Sequence, residues 1–168
     1  VWCWGANDAG QLGDGTFERT NKPKNAVSLP PAQQIATGSQ HSCALDKDAR
    51  VWCWGSNEFG QLGYDTPERN FEPAIIAELQ AVSSIAIGGS HSCAVGQNGQ
   101  AWCWGRNYDG QIGIGNYNFS DGAGTTPSTV SELPAVIQVS TGTAHTCARN
   151  ESGQVWCWGA NDAGQLGD

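Results

Sequence analysis

The 168-residue chain contains no methionine, and only 14% of its residues are charged. Cations are scarcest: eight Lys and Arg stand against sixteen Asp and Glu, for a net charge of −8. The eight are scattered and form no patch. Binding to a polyphosphate is carried by clustered Lys and Arg that displace counterions, so nucleic acid is not an expected partner. No run approaches the roughly 18–20 apolar residues that cross a bilayer as a helix, so membrane insertion is not expected either. A secretion signal is also missing, which says little, because Val1 already lies inside a motif. Strong helix formers are few. The fingerprints G-x-S-x-G, H-E-x-x-H, the P-loop and the dinucleotide loop do not occur, and the chain is read as a non-enzyme with no cofactor.

What is abundant is glycine, with 23 residues, and tryptophan, with 8. Glycine supplies the φ > 0 positions of tight turns, and tryptophan suits a pleated, half-buried surface, so an all-β chain rich in turns is expected. The abundance is periodic. VWCWG at Val1, Val51 and Val155 and AWCWG at Ala101 are 50, 50 and 54 residues apart. Each is followed by G-x-N-x-x-G-Q-L-G or a close variant, as in Gly55, Asn57, Gly60, Gln61, Leu62 and Gly63. A second motif also recurs, as IATGSQHSCAL from Ile35, IAIGGSHSCAV from Ile85 and VSTGTAHTCAR from Val139. The chain is therefore one segment of a repeat domain, with repeats 1–50, 51–100 and 101–154 and a partial repeat 155–168.

Within each unit, short β-prone runs such as Ile35–Gly38 and His41–Leu45 lead through a polar turn into Val51–Gly55, so the last two form a hairpin. The N-x-x-G-Q-L-G run then supplies glycines for left-handed turns and amides that bond local backbone. A less regular segment containing Pro23, Pro73 or Pro127 joins successive units, and 116–126 holds the extra four residues of the third. Repeats of about 50 residues built from several short strands suggest propeller blades or a solenoid. The G-x-N-x-x-G-Q-L-G run with its preceding G-x-x-H-S-x-A-L resembles the repeats of the regulator of chromosome condensation family. The resemblance covers essentially the whole chain. It implies a β-propeller of four-stranded blades, with the Gly-rich, His-containing strand towards the central channel.

Cys43 and Cys53, Cys93 and Cys103, and Cys147 and Cys157 are each ten residues apart, across turns of differing sequence. In a hairpin centred on the turn, such residues face each other within disulfide reach. Three intrablade disulfides and an oxidising, extracellular or cell-surface setting are expected, with Cys3 left to pair with a preceding unit. The alternatives are small buried thiols in a reduced protein, or a zinc site. His41, His91 and His145 share a strand face with their cysteines, but each His-Cys-Cys set is one ligand short of a structural zinc centre.

A histidine repeated at one place in every unit answers a repeated structural need, and these three are expected to bond backbone near the axis. A His ring that binds metal or senses pH is the minor alternative. The paired tryptophans, Trp52 with Trp54 and Trp102 with Trp104, and likewise Trp2 with Trp4 and Trp156 with Trp158, point to one side of their strands and are expected to fill the space between blades. The family's ultraviolet-B photoreceptor uses Trp in a G-W-R-H-T motif that this chain lacks, so that activity is not carried over. Asn7-Asp8-Ala9-Gly10-Gln11 lacks the alternating ligands of a calcium loop and reads as a solvated turn. The sequons at Asn118 and Asn150 are candidate glycosylation sites.

The leading functional expectation is a structural and protein-binding module, secreted or surface-exposed. Its variable segments Thr16–Ala26, Thr66–Ile76 and Asn116–Thr129 would line a loop face, with Phe17, Arg19, Arg69, Phe71, Tyr117 and Phe119 as contact groups. Its partners would be proteins, further copies of itself included. A self-assembling array is the alternative. The resemblance also offers inhibition of a secreted enzyme and guanine-nucleotide exchange, and acidic charge and paired cysteines speak against the latter. Val1–Asp14 and Val155–Asp168 are identical, which suggests a higher period of 154 residues and a place for Cys3 to meet a counterpart of Cys147.

Overall fold

The computed structural model describes residues 1–66, 68–117 and 124–168. Thirteen strands and no helix occur among them. The first pair is β1 (Trp2–Gly5) and β2 (Thr20–Asn25). A four-stranded sheet follows, β3 (Ala32–Thr37), β4 (His41–Asp46), β5 (Val51–Ser56) and β6 (Arg69–Ile75), adjacent in that order. The second four-stranded sheet is β7 (Val82–Ile87), β8 (His91–Gly96), β9 (Ala101–Gly105) and β10 (Ser128–Thr129). The last sheet has three strands, β11 (Gln138–Thr141), β12 (His145–Arg149) and β13 (Val155–Gly159). Every pairing is antiparallel between strands consecutive in sequence.

These are propeller blades, out of phase with the sequence repeat, because VWCWG is the third strand of a blade and not its first. The first strand of each blade is innermost: β7 lies against both β3 and β11. There Gln34 bridges blades, donating from Nε2 to the Ile85 carbonyl at 2.9 Å and accepting from the Ile85 N–H at 3.0 Å. The outermost strands corrected an expectation. Thr16–Ala26 and Thr66–Ile76 are not loops throughout, because β2 and β6 occupy their second halves. Pro23 and Pro73 lie within these strands, where an edge position lets the missing N–H face outward.

Alternation along β5 sends Val51 and Cys53 to one side and Trp52 and Trp54 to the other. One apolar cluster joins Cys43, Leu45, Val51 and Leu62 of the first full blade to Val82, Ile85 and Trp104 of the second. Another joins Val95, Cys103 and Ile112 to Val136, Val139 and Ala148 of the third. The core is thus a series of inter-blade layers. Two ends of the blades are distinguished by backbone bonds. At one, the connection after the third strand meets the turn after the first, as Ser56 N–H donates to Gln40 at 2.8 Å. At the other, the hairpin turn meets the link between blades, as Val82 N–H donates to Ala49 at 3.1 Å.

Candidate functional site

The G-Q-L-G loops and the His-Ser/Thr-Cys strands meet at each joint between blades. In the loop, the Asn57 carboxamide oxygen accepts the Leu62 N–H at 3.0 Å and the Gln61 carboxamide oxygen accepts the Phe59 N–H at 2.8 Å. Asn7 with Gln11 and Asn107 with Gln111 do the same. With its side chain folded back, the glutamine turns its backbone carbonyl to the next blade. Gln61 there accepts from Ser92 Oγ and Trp104 Nε1, both at 2.9 Å. Gln11 accepts from Ser42 and Trp54, and Gln111 from Thr146 and Trp158, at 2.9–3.0 Å.

The histidines complete the joint. His41 Nε2 lies 2.9 Å from Ser92 Oγ, and His91 Nε2 lies 2.9 Å from Thr146 Oγ1. Each hydroxyl has one proton, committed to a glutamine carbonyl, so the ring must donate from Nε2–H. Nδ1 then holds a lone pair, and in His41 and His91 it is buried without a partner. Burial pushes the His41 pKa down to about 3, helped by nearby His91, and that of His91 down to about 4, helped by His145. The rings are neutral donors. The expectation of bonds to backbone is therefore corrected, since it is the next blade's hydroxyl that receives the proton.

The sequence reading also missed two close approaches. A Cβ on Gly38, Gly88 or Gly142 would lie within 2.1–2.8 Å of its own unit's His ring. One on Gly13, Gly63 or Gly113 would lie 2.7 Å from an indole Nε1 of the next blade. The signal was present: each of these glycines closes a G-Q-L-G-type run and is followed, 41 or 45 residues later, by the Trp it touches.

Cys43–Cys53, Cys93–Cys103 and Cys147–Cys157 are disulfide-bonded across their hairpins, with Cα–Cα distances of 4.1 Å. Their sulfurs are oxidised, and no group of acidic, Cys and His side chains among the described residues is placed to hold a metal ion. Cys3 is half-buried and unbonded, and desolvation raises its thiol pKa. Trp54 and Trp104 are fully buried between blades, whereas Trp52 and Trp102 are half-buried. Trp52 donates to Asp46 at 2.9 Å, beneath Arg50. Ser92 and Thr146, which accept from the rings, are fully buried.

On the loop face, the structure brings together Phe17, Arg69 and Phe71. The two rings meet edge-on at 5.0 Å, and the Arg69 guanidinium lies 4.8 Å from the Phe17 centroid while donating to the Asp8 carbonyl. Arg19 sits apart, beside Gly5 and Thr20, and Tyr117 lies over Gly110. Phe119 and Asn118 fall outside the described residues. A second stack went unread in the sequence: Arg106 lies 4.9 Å from the Tyr108 centroid and 6.0 Å from that of Phe59. Arg106 departs from the Ala6 and Ser56 of other units, which is the signal that marks it.

Two models of the regulator of chromosome condensation (RCC1) repeat match the chain, one over residues 1–45, 48–95 and 98–149 and one over 32–61, 82–111 and 136–165. A search of curated protein sequences gave no match. Among solved structures, Prp20p from Saccharomyces cerevisiae, in a study of its binding to Gsp1p and histones, is 28% identical with a TM-score of 0.85, over 99% of this chain and 42% of that one. Yeast RCC1 (Prp20) bound to Kap60 is 27% identical with a TM-score of 0.80, over 96% and 40%. Human WBSCR16, 22% identical with a TM-score of 0.80 over 95% and 42%, shares the fold. The chain thus spans about two fifths of the length of each. With repeat matches along nearly its whole length and the blade architecture above, it belongs to the regulator of chromosome condensation (RCC1) repeat family.

Proposed function

We propose that this chain is a protein-binding propeller module without catalytic chemistry of its own, working in an oxidising, extracellular or cell-surface setting. The observation that carries the reading is the contrast between a constant frame and a variable loop face. The Gln-carbonyl joints repeat bond for bond, whereas the loop face carries Phe17, Phe71 and Arg69 at one joint and Phe59, Tyr108 and Arg106 at the next. Phe17 and Phe71 are exposed and Phe59 and Tyr108 half-buried, and surface aromatics beside arginine are the residue types that anchor protein interfaces. The three disulfides support the compartment. The protein partners named for Prp20p and yeast RCC1 support the class of ligand, not its identity.

The test is capture of partners by the immobilised chain from the extracellular fraction of its source, read by mass spectrometry. A Phe17→Ala/Phe71→Ala variant serves as control. Partners held by the wild type and lost from the variant uphold the reading; identical capture by both refutes it.

A second reading, association with further copies in an array, is supported by one observation. The sequence of β1 recurs unchanged in β13, beside a cleft bordered by Gly110, Tyr117, Trp156 and Trp158. Light scattering across a concentration series tests it, and a constant mass eliminates it.

A further inference from the structure

Most of the negative charge is gathered at one end of the blades. The connections after the third strands, together with the stretch following β13, hold nine of the fifteen acidic residues at described positions, and only Arg19 and Arg106 of the cations. Arg69, first residue of β6, borders the same face. Two of these three guanidiniums are already engaged. Arg69 lies on Phe17 and donates to the Asp8 carbonyl, and Arg106 lies over Tyr108 and Phe59, 3.7 Å from Asp109.

Beside Arg69 runs a cleft lined also by Asp8, Ala9, Gln40, Ser56, Glu58 and Glu68. Asp8 and Glu58 stand at the same position of successive units, so the cleft is a product of the repeat. Among the described residues the carboxylates of Asp8, Glu58 and Glu68 form no ion pair. They are also not gathered closely enough to share a metal ion. A cation with greater reach, on a long stem that can lie along aromatic rings, meets both conditions.

We propose that this face docks a Lys- or Arg-bearing segment of a partner protein, laid across the ridge of Phe17, Phe71, Phe59 and Tyr108 with a cationic side chain in the Asp8–Glu58–Glu68 cleft. The inference rests on the protein-binding reading above and specifies its partner. Charge complementarity selects the occupant, because an acidic segment would meet the most negative part of an acidic molecule. The chain's own arginines show the mode: guanidinium over a ring, with an oxygen acceptor at its edge.

The experiment measures binding of short fluorescent Arg-Gly, Gln-Gly and Glu-Gly repeat peptides to the disulfide-bonded chain by polarisation. The Arg-Gly peptide is expected to bind at least about tenfold more tightly than the Gln-Gly peptide. Asp8→Asn/Glu58→Gln/Glu68→Gln is expected to lose most of that advantage. Glu78→Gln/Glu132→Gln/Glu151→Gln makes the same change of charge at the opposite end and is expected to stay within about twofold of wild type. Near-UV circular dichroism checks that each variant is folded. Equal losses from both triples, or no preference for Arg-Gly, overturn the proposal. The protein-binding reading survives that failure if captured partners are still lost on Phe17→Ala/Phe71→Ala and are indifferent to the carboxylate triple.

Discussion

Gly63→Ala tests the joint between blades most directly. Gly63 has φ of +78°, which costs an L-residue about 1–2 kcal/mol. The added Cβ would also lie 2.7 Å from Trp104 Nε1 and 3.0 Å from Ile76 Cδ1. Ordinary contact requires the indole to retreat by about 1 Å, which takes its 2.9 Å bond to the Gln61 carbonyl out of hydrogen-bonding range. Trp104 is fully buried, so the orphaned N–H finds no water and adds about 1–3 kcal/mol. The sum is about 2–5 kcal/mol. Gly153 has φ of +85° with no heavy atom near its would-be Cβ, so Gly153→Ala carries the backbone cost alone, about 1–2 kcal/mol.

Denaturant titration with the disulfides intact, followed by tryptophan fluorescence, measures both. Trp104→Phe supplies the third corner of a cycle, because phenylalanine has no N–H and a smaller ring. In that background Gly63→Ala is expected to fall towards the cost of Gly153→Ala, with a coupling of about 1–3 kcal/mol. Equal costs for the two alanines, or a coupling below about 0.5 kcal/mol, would refute the reasoning.

Ser92→Ala strands the His41 ring and one lone pair of the Gln61 carbonyl, and is expected to cost about 2–3 kcal/mol by the same titration. Ser92→Thr, which copies Thr146 of the next blade, is expected to cost less than about 1 kcal/mol. Replacing Cys93 and Cys103 together by serine opens a loop of ten-residue separation, and its chain entropy predicts a loss of roughly 2.5 kcal/mol. Non-reducing mass measurement of the wild type is expected to show one free thiol, from Cys3. His41 and His91 have folded pKa values of about 3 and about 4, below the ordinary 6.5, so the unfolded chain takes up their protons first as pH falls. Their stabilisation is complete above pH 6.5 and is lost as pH falls towards 4 and then 3, by up to about 1.4 kcal/mol per unit for each ring. The slope between pH 6.5 and 5 is expected to diminish in His41→Gln, and an unchanged slope would show that the ring is not neutral in the fold.

The parts of the fold that were legible in the sequence are those fixed by side-chain type at short range. Cys43 and Cys53 flank one turn, and period-two alternation with a polar turn at the centre makes them face each other. The strands β2 and β6 were not legible. TNKPKN has neither β-branched density nor alternation, and it is a strand because β1 offers it an edge. The joint was only half legible. His, Ser or Thr, and Trp could be seen to recur, but the acceptor they converge on is a backbone carbonyl, which residue type does not encode. The bond from His41 to Ser92 spans 51 residues, so local pattern carries no trace of it. Arg106 and Tyr108 escaped for a different reason, because a search for what repeats passes over what departs.

That distinction explains how such a chain divides its labour. Each joint closes its chain of bonds within two neighbouring blades: Ser92 gives its proton to Gln61, His41 gives its own to Ser92, and Trp104 fills the second lone pair of the same carbonyl. No side chain of Glu58, Phe59, Arg69 or Tyr108 is a member of that circuit. A repeat array has nearest-neighbour energetics, so an exchange at the loop face leaves the joints below it intact. Salt acts on the two layers unequally, since charges at the face are screened within about 8–10 Å whereas bonds sealed between blades are not. The loop face is therefore free to acquire carboxylates and aromatic stacks one unit at a time, and its excess of negative charge is tolerated because the buried joints that hold the blades together carry no ionised group.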